Sequence, residues 1–302
     1  MNVYVESLQK ELSVAVVVAS LGRPELVEQM MNLMSAQTCA PDLLLFSVVS
    51  DADIPASFHD SATIRAIRAP KGLCAQRNAA IEYLGGEYDI ILFYDDDFIP
   101  AKTSIANVRA FFAAHDDVVG ATGNVIADGI NSRGISLQQA AQILAEHERN
   151  DFTPNCIVSS LFGLYGCNMA YRSNAIGESR FDERLKLYAW QEDIDFAASL
   201  QGRGRIVKTF AFAGIHQGVK SGRTSGVRLG YSQVINPAYL ARKGTMRGLF
   251  AAKLIFRNVF ANHFRAFRPE PWVDRAGRVK GNWIGLFDLL RGRLTPERIE
   301  AL

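Results

Sequence analysis

Between residues 13 and 127 the chain alternates short apolar runs with stretches of helical periodicity, and this alternation restricts the fold more than any other feature. Runs at 13–19, 43–49, 63–69, 90–94 and 118–127 have strand length. Segments 24–36, 73–84 and 101–114 repeat their apolar residues at helical spacing. Pro24 suits the first turn of its helix, and Gly85-Gly86 is a strong stop after the second. Strand followed by helix, repeated, predicts an α/β fold with a mainly parallel sheet and helices on both faces. The second half is less regular. It reads as a polar helix at 136–149, mixed strands over 158–172, a helix at 190–201 and a strand reached through 202–212. Residues 214–230 hold five glycines with Lys220, Arg223 and Arg228, and read as a mobile basic loop before a helix-rich C-terminal region.

The apolar run Ile90-Ile91-Leu92-Phe93-Tyr94 ends in Asp95-Asp96-Asp97. Adjacent carboxylates at the end of a buried strand repel one another and resist desolvation. A divalent cation relieves both problems, and Mg²⁺ or Mn²⁺ commonly joins carboxylates to substrate phosphates. Ligands of open α/β sheets bind at the carboxyl ends of the strands. The cluster therefore reads as a metal-diphosphate site, with a solvated acidic turn as the alternative for an isolated triplet.

Other strand ends add to it. Ala19-Ser20-Leu21-Gly22-Arg23-Pro24 exposes backbone donors ahead of a helix, and Ser50-Asp51-Ala52-Asp53 brings small polar groups to the same edge. Lys71-Gly72-Leu73-Cys74-Ala75-Gln76-Arg77-Asn78 starts a helix whose Arg77 has the reach for a phosphate. Gly166-Cys167-Asn168-Met169-Ala170-Tyr171-Arg172 suits an acceptor cleft. Trp190-Gln191-Glu192-Asp193-Ile194-Asp195 opens a helix with three carboxylates, which serve either as helix caps or in chemistry. His216 reads as a metal ligand, a phosphate donor or an ordinary histidine at a strand end. Lys220, Arg223 and Arg228 read as a lid over the diphosphate or as a solvated loop.

Composition sets limits. At 302 residues, 48% hydrophobic and 21% charged, the chain has the makings of a soluble protein with a sizeable core. No apolar run approaches the roughly 20 residues that span a bilayer. Glu6 and Glu11 precede the first apolar run, and no cleavage pattern follows, so no secretory signal is expected. Cys39, Cys74, Cys156 and Cys167 lack metal-ligand spacing and read as reduced thiols of a cytoplasmic protein. The net charge of +2 hides an asymmetry: residues 240–302 carry 13 basic and 5 acidic residues, a balance of +8 that leaves −6 for the rest. A basic tail suggests an anionic partner. Its aromatic residues are interleaved with leucines at helical spacing, notably over 248–267, which favours a peripheral site on an anionic membrane surface over nucleic acid.

Together, VVVASLGRP, KGLCAQRNAAI, FYDDDFIP, GCNMAYR and WQEDIDFAASL resemble, in order, the motifs of the family 2 glycosyltransferases. The resemblance covers roughly residues 13–216. The later segments SGRTSGVRLGYSQVINPAYLARKGT and RVKGNWIGLFDLLRGRLTPERI look like those of bacterial polysaccharide-building members. This implies the GT-A nucleotide-diphospho-sugar transferase fold over residues 1–240, with a donor half to about 127 and an acceptor half from about 128. Residues 241–302 are then a basic helical extension. The family moves a sugar from a nucleoside diphosphate donor to an acceptor hydroxyl with inversion. By that resemblance Asp97 is the metal-binding aspartate, Asp95 lies near the ribose and base, and Asp96 sits between them. Ser20, Arg23 and Asp51 fall among the nucleotide-sugar-binding positions, as does Arg77. Asp193 is the catalytic base and Glu192 its partner. Leu21-Gly22 replaces a usual tyrosine-asparagine pair and Ser50 stands where an aspartate is common, which leaves UDP- and GDP-sugar donors both open.

The chemistry agrees with that reading. A hydroxyl attacking an anomeric carbon needs a base, and a departing nucleoside diphosphate needs a Lewis acid such as Mn²⁺ or Mg²⁺. The expected acceptor is a glycan or lipid-linked oligosaccharide in surface polysaccharide assembly. A polyprenyl-phosphate sugar synthase is the nearest alternative. A sugar-phosphate nucleotidyltransferase would carry a more glycine-rich first loop than SLGRP, and a non-catalytic carbohydrate-binding domain would not need both Asp97 and Asp193.

Overall fold

Four parallel strands carry the first half of the sheet in a computed structural model that describes residues 11–149, 156–221 and 225–302. Glu6 and Arg223 lie outside the described residues. Strand β1 (Val14–Ala19) pairs with β2 (Leu43–Val48) on one side and β4 (Ile90–Asp95) on the other, and β3 (Ile64–Arg68) lies beyond β2. Helices α1 (Pro24–Ser35) and α2 (Leu73–Leu84) are the first crossovers. Successive strand residues point to opposite faces. Ala15, Val17, Leu45, Ile91 and Phe93 therefore pack with α2 and with α6 (Glu192–Ser199). Val16, Val18, Phe46, Leu92 and Tyr94 face α1 and α3 (Ser104–Ala114). Burial on both faces is what made these runs continuously apolar.

Beyond β4 the sheet is mixed. Strand β8 (Asn168–Arg172) lies antiparallel between β4 and β6 (Val118–Asp128), and β9 (Arg205–His216) runs parallel to β6. The short β5 (Phe98–Pro100) pairs with the end of β9, and β7 (Ile157–Ser160) with its middle. The expected parallel arrangement thus holds over β3-β2-β1-β4 and again between β6 and β9, with antiparallel pairings in between. Helix α4 (Leu137–Arg149) and the single-turn α5 (Ser173–Ile176) complete this half.

Both ends of the expected loop over 214–230 are regular structure. Strand β9 continues to His216, and α7 (Gly226–Lys243) starts at 226. The glycines serve close packing: a Cβ at Gly214 would lie 2.5 Å from the Ile99 carbonyl oxygen on the paired strand. Arg228 stands in the first turn of α7, where Nε donates to the Leu302 carbonyl at 2.8 Å. It ties down the C-terminal segment and is no part of a lid. Lys220 Nζ donates to the carbonyls of Gly129 and Ile130, each at 3.0 Å.

Helices α7, α8 (Gly248–Arg265) and α9 (Arg275–Leu290) form a C-terminal layer, and α7 crosses the division expected at residue 240. A Cβ at Gly230 would lie 2.1 Å from the Arg278 carbonyl oxygen, and one at Gly281 2.0 Å from that of Val227. Glycine at these positions lets α7 and α9 touch backbone to backbone. Buried Asn262 joins the three helices: its Nδ2 donates to Gln233 and Asn282, and its Oδ1 accepts from Arg275. The layer is fastened to the sheet. Leu240, Met246, Ala251 and Leu254 enter the core beside α6, and Lys243 Nζ lies 2.7 Å from both Asp182 and Asp195. Cys74 and Cys167 are buried free thiols, in keeping with packing. Among the described residues, no helix is long and apolar enough to cross a membrane.

Candidate active site

The register of β5, β9 and β6 assembles one cluster. Phe98 pairs with His216, which pairs in turn with Asp128 on β6, so Asp97 ends up beside the imidazole. His216 Nε2 is 3.3 Å from Asp97 Oδ1, and Nδ1 is 3.0 Å from Asp128 Oδ1. Tyr165 Oη donates to Asp128 Oδ2 at 2.7 Å, and the Val219 amide donates to Asp97 Oδ2 at 2.8 Å. Burial alone would push the ring toward neutrality, but Asp128 and Asp97 outweigh it and raise His216 from 6.5 to about 10. Burial also acts against the Asp97 carboxylate, which His216 and the Val219 amide nevertheless hold below its usual value.

Asp95, Asp97 and His216 each offer one ligand atom, all within 4.8 Å of one another. Two carboxylates and an imidazole make an oxygen-and-nitrogen set that fits a divalent ion such as Mn²⁺. The hydrogen bond from Nδ1 to Asp128 fixes the ring, as in other carboxylate–histidine–metal arrangements. These residues can therefore hold a metal ion.

Asp96 turns inward. Ser20 Oγ donates to it at 2.7 Å, and Arg23 lies 3.1 Å away. Burial first, then its aspartate neighbours, raise its pKa to about 7. Ser20 and Asp96 are both buried, so they stitch the end of β4 to the loop after β1 and do not face the cleft. Asp51 is exposed and pairs with Arg68 at the β2–β3 edge. It is Asp53, two residues later, that is buried and accepts from the amides of Gly22, Val49 and Ser50 at 2.7–3.0 Å, which shapes the turn after β1.

The second cluster stands at the start of α6. The turn before it holds Leu187, Ala189 and Gln191 at φ 59°, 52° and 80°. Positive φ is costly for such side chains, and three in five residues persist only where the surroundings over-determine them. The Leu73 amide bonded to the Leu187 carbonyl and Asn236 bonded to the Trp190 carbonyl supply that restraint, each at 2.9 Å. The turn delivers Glu192 and Asp193. Asp193 accepts from the amides of Gly166 and Ile194, both at 2.8 Å. Burial raises the pKa of both carboxyls, while the Arg77 guanidinium pulls them back toward the charged form.

Arg77 joins the two clusters. Its Nη1 donates to Glu192 at 2.6 Å, and its Nη2 to Asp95 at 3.1 Å and to the Gly166 carbonyl at 3.0 Å. Burial disfavours the guanidinium, but Glu192, Asp95 and Asp193 more than compensate. The expected phosphate contact is thus replaced: the side chain is 2% exposed and its terminal nitrogens are engaged by protein acceptors. Between the clusters lies a cleft of about 520 Å³, lined by Asp95, His216, Tyr165, Trp190, Glu192 and Asp193 among others.

Asp128, Tyr165, Asp53 and Gln191 escaped the sequence reading as site residues. Tyr165 directly precedes the GCNMAYR segment and Asp128 directly follows the expected β6 strand, so adjacency was their only local signal. No local signal marks the positive φ at Gln191.

Residues 52–179 match the family model described as glycosyl transferase family 2. The chain carries a glycosyl transferase family 2 domain. No curated protein matches it. Among solved structures, TarS 1-349 of S. aureus is similar at 16% identity and TM-score 0.53, over 96% of this chain and 83% of that one. The mannosyltransferase PcManGT of Pyrobaculum calidifontis, in complex with GDP-Man and Mn²⁺, is similar at 15% identity and TM-score 0.54, over 96% and 85%. TarS 1-349 in complex with UDP gives 15% and 0.50, over 96% and 87%. At such identity the likeness is one of fold. The fold of this chain is the nucleotide-sugar transferase fold, GT-A.

Proposed function

We propose that this chain is an inverting glycosyltransferase that moves a sugar from a UDP- or GDP-sugar to a hydroxyl of a glycan, carried on lipid at the cytoplasmic face of an anionic membrane during surface polysaccharide assembly. The observation that carries the proposal is a cleft lined by Asp95 and His216 of the metal-competent triad Asp95, Asp97 and His216 and also by a half-buried, amide-anchored carboxylate, Asp193. The bound GDP-Man and Mn²⁺ of PcManGT and the bound UDP of TarS support the donor class and the metal.

Asp95, Asp97 and His216 would hold Mn²⁺ or Mg²⁺, which when bound would supply charge stabilisation to a leaving diphosphate. Asp193 takes the proton from the acceptor hydroxyl. Its raised pKa suits that task, because a base works best when its pKa lies near the operating pH. The Gly166 and Ile194 amides fix its orientation. Arg77 keeps Glu192 and Asp95 in place so that base and metal triad hold a constant relation. Trp190 and Tyr188 border the acceptor side of the cleft, where flat rings suit a sugar face.

A polyprenyl-phosphate acceptor is the second reading, and Asp193 separates the two: a phosphate needs little deprotonation, whereas a hydroxyl requires the base. The test is a panel of UDP- and GDP-sugars with Mn²⁺ or Mg²⁺, read as release of the nucleoside diphosphate. One donor is expected to turn over, with loss of turnover in chelator. No release from any donor would count against the proposal.

A further inference from the structure

Helix α8 turns an aromatic face outward. Phe256, Phe260 and Phe264 are 71%, 60% and 70% exposed, and their rings stack in sequence at centroid distances of 6.0 and 6.2 Å. The face continues onto α9, because His263 packs against Trp283 at 5.7 Å and Trp283 against Phe287 at 6.1 Å. Leu290 at the end of α9 is 83% exposed. Contiguous exposed apolar surface of this kind marks an interaction site.

Charge distinguishes the occupants. Residues 244–269 contain Arg247, Lys253, Arg257, Arg265 and Arg268 and no aspartate or glutamate. Of these, Lys253, Arg257 and Arg268 are exposed beside the rings, and Lys280, Arg291 and Arg293 are exposed on and after α9. The acidic residues nearby are occupied: Glu270 by Arg265 and Arg275, and buried Asp288 by Arg298. A second copy set against this face in a self-complementary contact would bring cation to cation with no acid between them. An anionic bilayer suits both features, taking rings at the acyl boundary and lysine and arginine heads at the phosphates.

We infer that the joint face of α8 and α9 is a docking surface for anionic phospholipid. Its place in the fold deepens the membrane-side acceptor reading above, on which it rests. Arg247 caps the start of α8 and stacks over Phe162 at 5.1 Å, in the segment that continues through Leu164, Tyr165 and Gly166 along the cleft. Docking through α8 therefore sets the acceptor side of the cleft beside the lipid headgroups.

The test is flotation of the full chain, without nucleotide sugar, on phosphatidylcholine vesicles with and without phosphatidylglycerol at low and high salt. Wild type is expected to float only with phosphatidylglycerol, and less at high salt. The F260A/F264A double variant is expected to lose about tenfold or more in vesicle affinity, since it removes two interfacial rings. K253E/R257E is expected to lose the phosphatidylglycerol dependence. All four side chains point to solvent, and unchanged release of nucleoside diphosphate by both variants reports intact folding. Wild type remaining in the pellet at low salt, or variants floating as wild type does, would overturn the inference. So would a dimer that F260A/F264A dissociates, with no flotation, because it assigns the face to a second copy. Flotation without donor turnover would sink the transferase reading alone, and turnover without flotation would sink the docking surface alone.

Discussion

Arg77 Nη1 lies 2.6 Å from Glu192 Oε1, a buried ion pair between the helix after β3 and the first residue of α6. The same guanidinium holds Asp95, so a single side chain fixes the spacing between the metal triad and the base. Removing one partner of a buried pair leaves the other charge uncompensated. Arg77→Ala is therefore expected to cost about 3–5 kcal/mol of stability, measured by urea denaturation. Lysine should not rescue it, because an ammonium cannot bridge acceptors fixed for a planar fork. An unchanged denaturation midpoint would contradict the bridging role.

His216 gives the metal-free protein a pH signature. Its pKa is raised from 6.5 to about 10, so the folded state binds a proton that the unfolded chain releases across that window. Its contribution is complete below 6.5 and is lost as pH climbs through about 10. Unfolding of wild type and His216→Gln in chelator should thus differ most at low pH in that window and converge above it. A gap that widens with pH would reverse the sign and refute the pairing.

Asp193→Asn keeps the shape but cannot accept a proton. Its kcat is expected to fall by about 10²-fold or more, while donor affinity stays within error of wild type. Matched losses in rate and affinity would point to a nucleotide-binding role.

The C-terminal layer depends on backbone contact between α7 and α9. Gly281→Leu inserts a side chain where even a Cβ lies 2.0 Å from the Val227 carbonyl oxygen. Overpacking of this kind should cost about 1–3 kcal/mol or more, read as a lower thermal midpoint. An unaltered midpoint would mean that the helices part freely.

These contacts mark the limit of what was legible in the sequence. The strands of the parallel half were readable because two-face burial writes itself locally, as in Ile90–Asp95 with its continuous apolar run. The carboxylates of Asp97 and Asp193 stood out because nothing apolar explains them there. Arg77 was visible as a residue of the site, but its partners lie 18 and 115 positions away, and only the fold decides that they consume its donors. Asp128 required the β6–β9 register, which no local pattern encodes. Gly214, Gly226 and Gly230 read as loop because glycine signals chain freedom; here it admits a neighbouring backbone.

The central claim is that Asp97 and His216 present a metal ion to a nucleoside diphosphate in the cleft that Asp193 serves. Titration calorimetry of UDP and GDP, with Mn²⁺ and with chelator, tests it most directly. One nucleotide should bind wild type only with Mn²⁺, bind Asp193→Asn equally well, and fail to bind Asp97→Ala. Binding that ignores both Mn²⁺ and Asp97→Ala, or no binding of either nucleotide, would contradict it.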